Sequence, residues 1–199
     1  MTPVWLRQIP NFITSLRILL VIPIALALLR GELVVALGLF LAAAASDLAD
    51  GYLAKRFGWQ TTIGGILDPA ADKLLLATAF IVLAVLHLVP IWMTATAVAR
   101  DLIIVLGAIA YRWCLGPITA HPSVISKVNT LCQALYILCV IGREQFAVPP
   151  AWALLALGAS TFVTTVISGM DYVLRYGESA LREANARRSG VPADRSGLT

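Results

Sequence analysis

Residues 36–85 read ALGLFLAAAASDLADGYLAKRFGWQTTIGGILDPAADKLLLATAFIVLAV, two apolar runs that meet at a short polar stretch and carry Asp47, Asp50, Asp68 and Asp72 at their inner ends. Each run approaches the roughly 20 apolar residues a helix needs to cross the hydrocarbon core of a bilayer. Working outward, six stretches qualify, at about 11–29, 33–56, 64–87, 90–112, 124–142 and 149–175. From Leu74 to Ala99 no Asp, Glu, Lys or Arg occurs, and a single helix of that run would overshoot one membrane. His87-Leu88-Val89-Pro90 divides it, because proline starts helices well and disfavours helix just before itself. The whole chain of 199 residues agrees: 59% is hydrophobic and only 13% charged, against about 25% charged in soluble domains, and the mean hydropathy is +0.85. So few ionic groups cannot cover a water-soluble globule, and they exclude a disordered chain as well. Fifteen Lys and Arg spread thinly make no nucleic-acid surface. The three cysteines, Cys114, Cys132 and Cys139, have no paired spacing and suggest neither a disulfide framework nor a zinc site.

The expected fold is therefore an all-α integral membrane protein with six transmembrane helices. Its orientation follows from Lys and Arg. With both ends on one side, that side collects Arg7, Lys55, Arg56, Arg112, Lys127, Arg175, Arg182, Arg187, Arg188 and Arg195, whereas Arg30 and Arg143 alone fall opposite, each near a glutamate. Both termini are thus expected in the cytoplasm. Three regions result: an interfacial segment over 1–10, with Trp5 and Arg7 suited to the headgroup layer; a six-helix domain over 11–176; and a frayed polar cytoplasmic tail over 177–199. Met1–Pro10 lacks the features of a cleaved signal or a transit peptide, so the chain is read as mature from residue 1 and bacterial, in the cell (inner) membrane.

Carboxylates at membrane depth are costly unless paired, wetted or metal-bound, which makes each a functional candidate. Asp47 and Asp50 are three apart and Asp68 and Asp72 four apart, so each pair shares a helix face. A turn over Phe57–Thr62 would bring the two helices back antiparallel at the cytoplasmic surface, converging the four acids. Anions so close repel strongly at low effective dielectric. Hard divalent cations, Mg²⁺ or Mn²⁺, relieve that repulsion, and four carboxylates can bridge two of them, as in sites that clamp the attacking and leaving oxygens of a phosphoryl displacement. Gly51, Ala54, Gly64 and Gly65 leave the helix flanks bare for close packing or for a ligand.

The run Asp47-x2-Asp50-Gly51-x2-Ala54-Lys55-x8-Gly64-x3-Asp68-x3-Asp72 resembles the signature of the CDP-alcohol phosphotransferases, D-x2-D-G-x2-A-R-x8-G-x3-D-x3-D, at seven of eight fixed positions. Lys55 is the departure: it keeps the charge of the usual arginine and loses its bidentate fork. The resemblance implies a homodimer of six-helix chains that transfers a phosphatidyl group from CDP-diacylglycerol to an alcohol and releases CMP. It implies that Asp47, Asp50, Asp68 and Asp72 hold two divalent cations, and that Asp72 is also the general base. It implies further that Gly51, Ala54, Lys55 and Gly64, with Asp47, Asp50 and Asp68, bind the cytidine diphosphate. Pro10-Asn11-Phe12-Ile13-Thr14-Ser15-Leu16-Arg17 is similar to the family's opening segment, making Asn11, Thr14 and, beside the motif, Lys73 supporting candidates. Arg17, inside an apolar helix, needs either an anion such as a lipid phosphate or a route to the interface by snorkelling. The family-like region covers about residues 10–175.

Within that family, the glycerol-3-phosphate synthases carry A-R-E followed by an L-R pair on helix four and G-K-x-K-T on helix five. This chain has Ala99-Arg100-Asp101, then Gly107-Ala108 in place of the L-R pair, and Ser126-Lys127-Val128-Asn129-Thr130 with asparagine for the second lysine. Two positive charges are missing, and a dianionic acceptor would lose charge-assisted hydrogen bonds. Pro122 to Thr130 resembles instead the CMP-forming cardiolipin synthases, whose acceptor is phosphatidylglycerol. Arg100 and Lys127 are the candidates for the acceptor phosphate, with a local pair of Arg100 with Asp101 or Asp72 as the alternative for Arg100. Asp171, Tyr172 and Tyr176 are candidates for a lipid entrance or an interfacial belt. A cation or proton transporter would also place acids in membrane helices, but the opposite halves, such as Val82–Leu86 and Leu154–Ala159, are nearly pure Leu, Val and Ala.

Overall fold

The structure is a computed structural model that describes residues 9–57, 64–114 and 123–189, with side chains described mainly over 15–46, 71–107 and 123–175. Within these, the chain forms six helices: α1 (Ile9–Leu29), α2 (Leu33–Phe57), α3 (Gly64–Val85), α4 (Ile91–Cys114), α5 (Val124–Phe146) and α6 (Ala151–Ser189). Each matches one of the six apolar stretches. Of the described segments, Val124–Phe146 and Ala151–Arg175 are long and apolar enough to cross a membrane. Their outer faces are apolar too, with Leu131, Leu155, Val163, Met170 and Leu174 exposed.

The helix ends are set by local chemistry. At the end of α1, Glu32 N–H donates to Ala27 O at 2.9 Å and Gly31 N–H to Leu28 O at 3.0 Å. This paired closure puts Gly31 at φ 74°, a left-handed conformation that glycine adopts without a Cβ clash. The same closure ends α3, through Leu88 N–H to Leu83 O at 2.9 Å and His87 N–H to Ala84 O at 3.0 Å, here with His87 at φ 58°. Pro90 then receives the first intrahelical bonds of α4, from Met93 and Thr94, so the uncharged run does divide at His87–Pro90. Ser123 caps α5: its Oγ accepts Ser126 N–H at 3.2 Å. Ala147 closes α5 at φ 58°, its N–H reaching Arg143 O at 2.8 Å. Pro23 lies inside α1.

The chain forms two compact units, one of residues 1–94 with 134–155, the other of 95–133 with 156–199. In the first, α1 packs against both α2 and α3. Val21, Ile24 and Leu28 of α1, Ala36, Phe40 and Ala43 of α2, and Leu75, Leu76, Ala79, Phe80 and Leu83 of α3 are buried, spaced by threes and fours as a helix stripe requires. Tyr136 stacks on Phe80 with ring centroids 6.3 Å apart, and Thr94 Oγ1 donates to Phe80 O at 3.2 Å.

The core of the second unit is polar. Arg100, Asn129, Gln133, Thr161, Thr165 and Ser168 are all buried. Asn129 Oδ1 accepts from Thr165 Oγ1 at 2.8 Å and from Thr164 Oγ1 at 3.1 Å. One turn further, Thr161 Oγ1 donates to Cys132 O at 3.2 Å, and Gln133 Nε2 lies 3.4 Å from Thr165 Oγ1. Asn129 and Cys132 of α5 thus meet Thr165 and Thr161 of α6 in antiparallel order.

One reading of the sequence needs correction. The tail is not frayed from residue 177, because α6 continues to Ser189. Leu181, Arg182, Glu183, Ala184, Ala186, Arg187 and Arg188 are good helix formers, so the polar composition marked the end of the apolar stretch and not the end of the helix. Ile9 and Pro10 begin α1, a first-turn proline being compatible with helix. Residues 1–8 lie outside the described residues.

Candidate active site

Asp47 and Asp50 fall in the second half of α2, and Asp68 and Asp72 in the first half of α3. Both pairs therefore occupy unbroken helix, and the i,i+3 and i,i+4 offsets put each pair on one face, as the spacing requires. All four belong to the first unit. The donor set is made of carboxylates, without thiol or imidazole, which is the chemistry of hard divalent cations. The side chains of Asn11, Thr14, Asp47, Asp50, Gly51, Ala54, Lys55, Gly64 and Asp68, and residues 58–63, on which the expected turn falls, lie outside the described residues, so convergence of the four acids does too. Asp72 and Lys73 are half-buried, and each has an interacting partner.

Arg17 is 1% exposed. It continues the buried stripe of Val21, Ile24 and Leu28 on α1, the helix that packs against both aspartate-bearing helices. Snorkelling to the interface is therefore not its role. A guanidinium in that position is a charge held inside the unit, in contact with a partner.

In the second unit Arg100 is 4% exposed. Its Nη1 donates to Asp101 Oδ1 at 2.6 Å. Nη2 donates to Ser126 Oγ at 2.6 Å and to Ser168 Oγ. Nε is buried with no acceptor among the described residues. Arg100 thus makes the local pair with Asp101 and two contacts the sequence did not reveal. Lys127, beside Ser126, is exposed. Tyr172 is half-buried against α4: its hydroxyl donates to Ile104 O at 2.8 Å, and its ring covers Gly107, where a Cβ would lie 3.0 Å from Tyr172 Cε1. Asp171 pairs with Arg175 at 2.7 Å. Ser168 and the contacts of Tyr172 escaped sequence reasoning because a hydroxyl in an apolar helix announces nothing about the helix it faces.

Across both units, residues 7–167 match the family model for CDP-alcohol phosphatidyltransferase. The chain belongs to this family. Cardiolipin synthase (CMP-forming) of Rattus norvegicus is 28% identical over 190 residues, covering 87% of this chain and 63% of that protein. The Homo sapiens protein of the same name is 27% identical with the same coverage. CDP-diacylglycerol–glycerol-3-phosphate 3-phosphatidyltransferase of Bacillus subtilis is 32% identical over 151 residues, 74% of this chain and 75% of that protein. The chain thus spans about 63% of the length of the two mammalian relatives, and relatives with two differently named activities resemble it to similar degrees.

Proposed function

We propose that this chain moves the phosphatidyl group of CDP-diacylglycerol onto the hydroxyl of phosphatidylglycerol, giving cardiolipin and CMP. The observation that carries the reaction class is the Asp47–Asp72 signature, seven of eight positions, in helices whose geometry pairs the acids. In this reading Asp47, Asp50, Asp68 and Asp72 hold two divalent cations, Mg²⁺ or Mn²⁺, which when bound neutralise pyrophosphate charge. Gly51, Ala54, Lys55 and Gly64 give the cytidine diphosphate close access to the helix flanks, and Arg17 meets a lipid phosphate. Asp72 takes the proton of the acceptor hydroxyl; the freed oxygen bonds to the phosphatidyl phosphorus as the bond to CMP breaks. A base needs reach and a suitable pKa, and neighbouring cations favour an ionised carboxylate. Asn11, Thr14 and Lys73 support the site. The chain crosses the bacterial cell membrane six times as a homodimer, with both termini and the reaction on the cytoplasmic side.

Two features of the second unit favour an acceptor of single negative charge, with Arg100 and Lys127 as its phosphate ligands. At position 107, where the glycerol-3-phosphate synthases carry leucine, a Cβ would already lie 3.0 Å from Tyr172 Cε1, so a larger side chain there requires Tyr172 to shift. Asn129, where those enzymes have a second lysine, is fully buried and engaged with Thr164 and Thr165. Glycerol-3-phosphate remains the second reading, favoured by the coverage of the Bacillus subtilis relative. Purified protein in detergent with CDP-diacylglycerol and Mg²⁺ or Mn²⁺ is offered each acceptor separately, and CMP and lipid product are measured. Cardiolipin from phosphatidylglycerol alone supports the proposal. Phosphatidylglycerophosphate from glycerol-3-phosphate alone overturns the acceptor and leaves the aspartate site standing, whereas absence of CMP with both overturns the reaction.

A further inference from the structure

Ser126 and Ser168 come from different helices, α5 and α6, and both hydroxyls accept from one nitrogen, Arg100 Nη2. A nitrogen of a guanidinium end group carries two protons, so this pair uses both. Nη1 is turned to Asp101, and the stem of Arg100 runs along Gly169, whose missing Cβ would lie 3.6 Å from Arg100 Cγ. The head group is therefore held on three sides while Nε–H, equally buried, has no acceptor among the described residues. Packing alone does not require this arrangement. An arginine needed only for the pair with Asp101 has no need of two serines, and serines needed only to join α5 to α6 have no need of a cation between them. The rungs below, Asn129 with Thr164 and Thr165 and Thr161 with Cys132 O, fix the register of α5 on α6. That register brings Ser126 and Ser168 to the same nitrogen.

We propose that Ser168, together with Ser126, is a positioning residue: it orients the Arg100 guanidinium so that its remaining N–H donors meet the phosphate of the acceptor. This rests on the reading of Arg100 as an acceptor ligand. Ser168 touches no substrate and acts through Arg100. Removing its hydroxyl frees one Nη2 proton and lets the head group turn, which weakens acceptor binding and leaves CDP-diacylglycerol binding alone.

The test is a double-mutant cycle of Ser168→Ala and Arg100→Ala, with Arg100→Gln as a second variant should Arg100→Ala not fold. The purified proteins are assayed with CDP-diacylglycerol and phosphatidylglycerol in mixed micelles. Ser168→Ala is expected to raise KM for phosphatidylglycerol about three- to tenfold, the net scale of one ordinary intramolecular hydrogen bond, with kcat and KM for CDP-diacylglycerol near those of the parent. In the Arg100 variant, Ser168→Ala is expected to change nothing further. If Arg100→Ala raises the acceptor KM and Ser168→Ala does not, or if the two effects multiply independently, the positioning role is overturned while the acceptor reading survives. An equal fall in kcat with both substrates assigns Ser168 to general packing and also overturns it. An acceptor KM unchanged in Arg100→Ala overturns the reading of Arg100 itself, and the positioning role with it.

Discussion

Replacing Gly107 by alanine gives opposite results depending on what stands at residue 172. In an ordinary helix interior, Gly→Ala is favourable by about 0.8–1.0 kcal/mol, because alanine restricts the unfolded backbone and glycine does not. Here the new Cβ would sit 3.0 Å from Tyr172 Cε1, 3.3 Å from its hydroxyl oxygen and 3.6 Å from Cζ. The ring cannot simply slide away, since its hydroxyl is tied to Ile104 O at 2.8 Å, one helical turn before Gly107. Overpacking of this kind costs about 1–3 kcal/mol, and loss of the hydroxyl bond is worth about 0.5–1.5 kcal/mol of it. Set against the helix gain, Gly107→Ala alone is expected to be neutral to destabilising by about 2 kcal/mol. In a Tyr172→Ala background the obstacle is gone and the same substitution is expected to stabilise by up to about 1 kcal/mol. Thermal unfolding of the four proteins in one detergent, read by circular dichroism, gives the cycle. Equal stabilisation of parent and Tyr172→Ala by Gly107→Ala would refute the placement of Tyr172 over α4.

Three further outcomes are expected. Ser123→Ala removes the cap of α5 and lowers stability by about 1 kcal/mol, seen as a lower melting temperature. Ala147→Gly relieves a left-handed alanine at the end of that same helix, a conformation that costs about 1–2 kcal/mol; after the added backbone entropy of glycine, a net gain of about 0.5–1 kcal/mol remains, while Gly31→Ala moves the melting temperature the other way. Removal of divalent cations with EDTA abolishes CMP release, and added Mg²⁺ or Mn²⁺ restores it; undiminished turnover in EDTA would remove the metals from the account.

The helices were legible because each apolar stretch is bounded by residues that end helices for local reasons. Gly31, Pro90 and the Pro149–Pro150 pair act within a few residues of themselves, so the chain alone displays them. The aspartates were legible for a related reason: four acids in apolar sequence at offsets of three and four are a local pattern. The polar core of the second unit was not. Ser126, Asn129 and Gln133 repeat by three and four, as do Thr161, Thr165 and Ser168, and the two series together were the available signal. Either series alone also describes an ordinary helix face, and Ser126 is separated from Ser168 by most of α5, a turn and the first half of α6. Tyr172 over Gly107 likewise joins residues 65 positions apart, and no period connects them. The helix past Arg175 was missed because polarity was taken for disorder where helix propensity was high.

The central claim is that the Asp47–Asp72 motif performs the transfer, and Asp72→Asn tests it most directly. CMP release from CDP-diacylglycerol is measured for the parent and the variant, alongside equilibrium binding of CDP-diacylglycerol to each. The account predicts that the variant folds and still binds the nucleotide lipid, while CMP release falls to background because the acceptor hydroxyl keeps its proton. Turnover at the parent rate would contradict it.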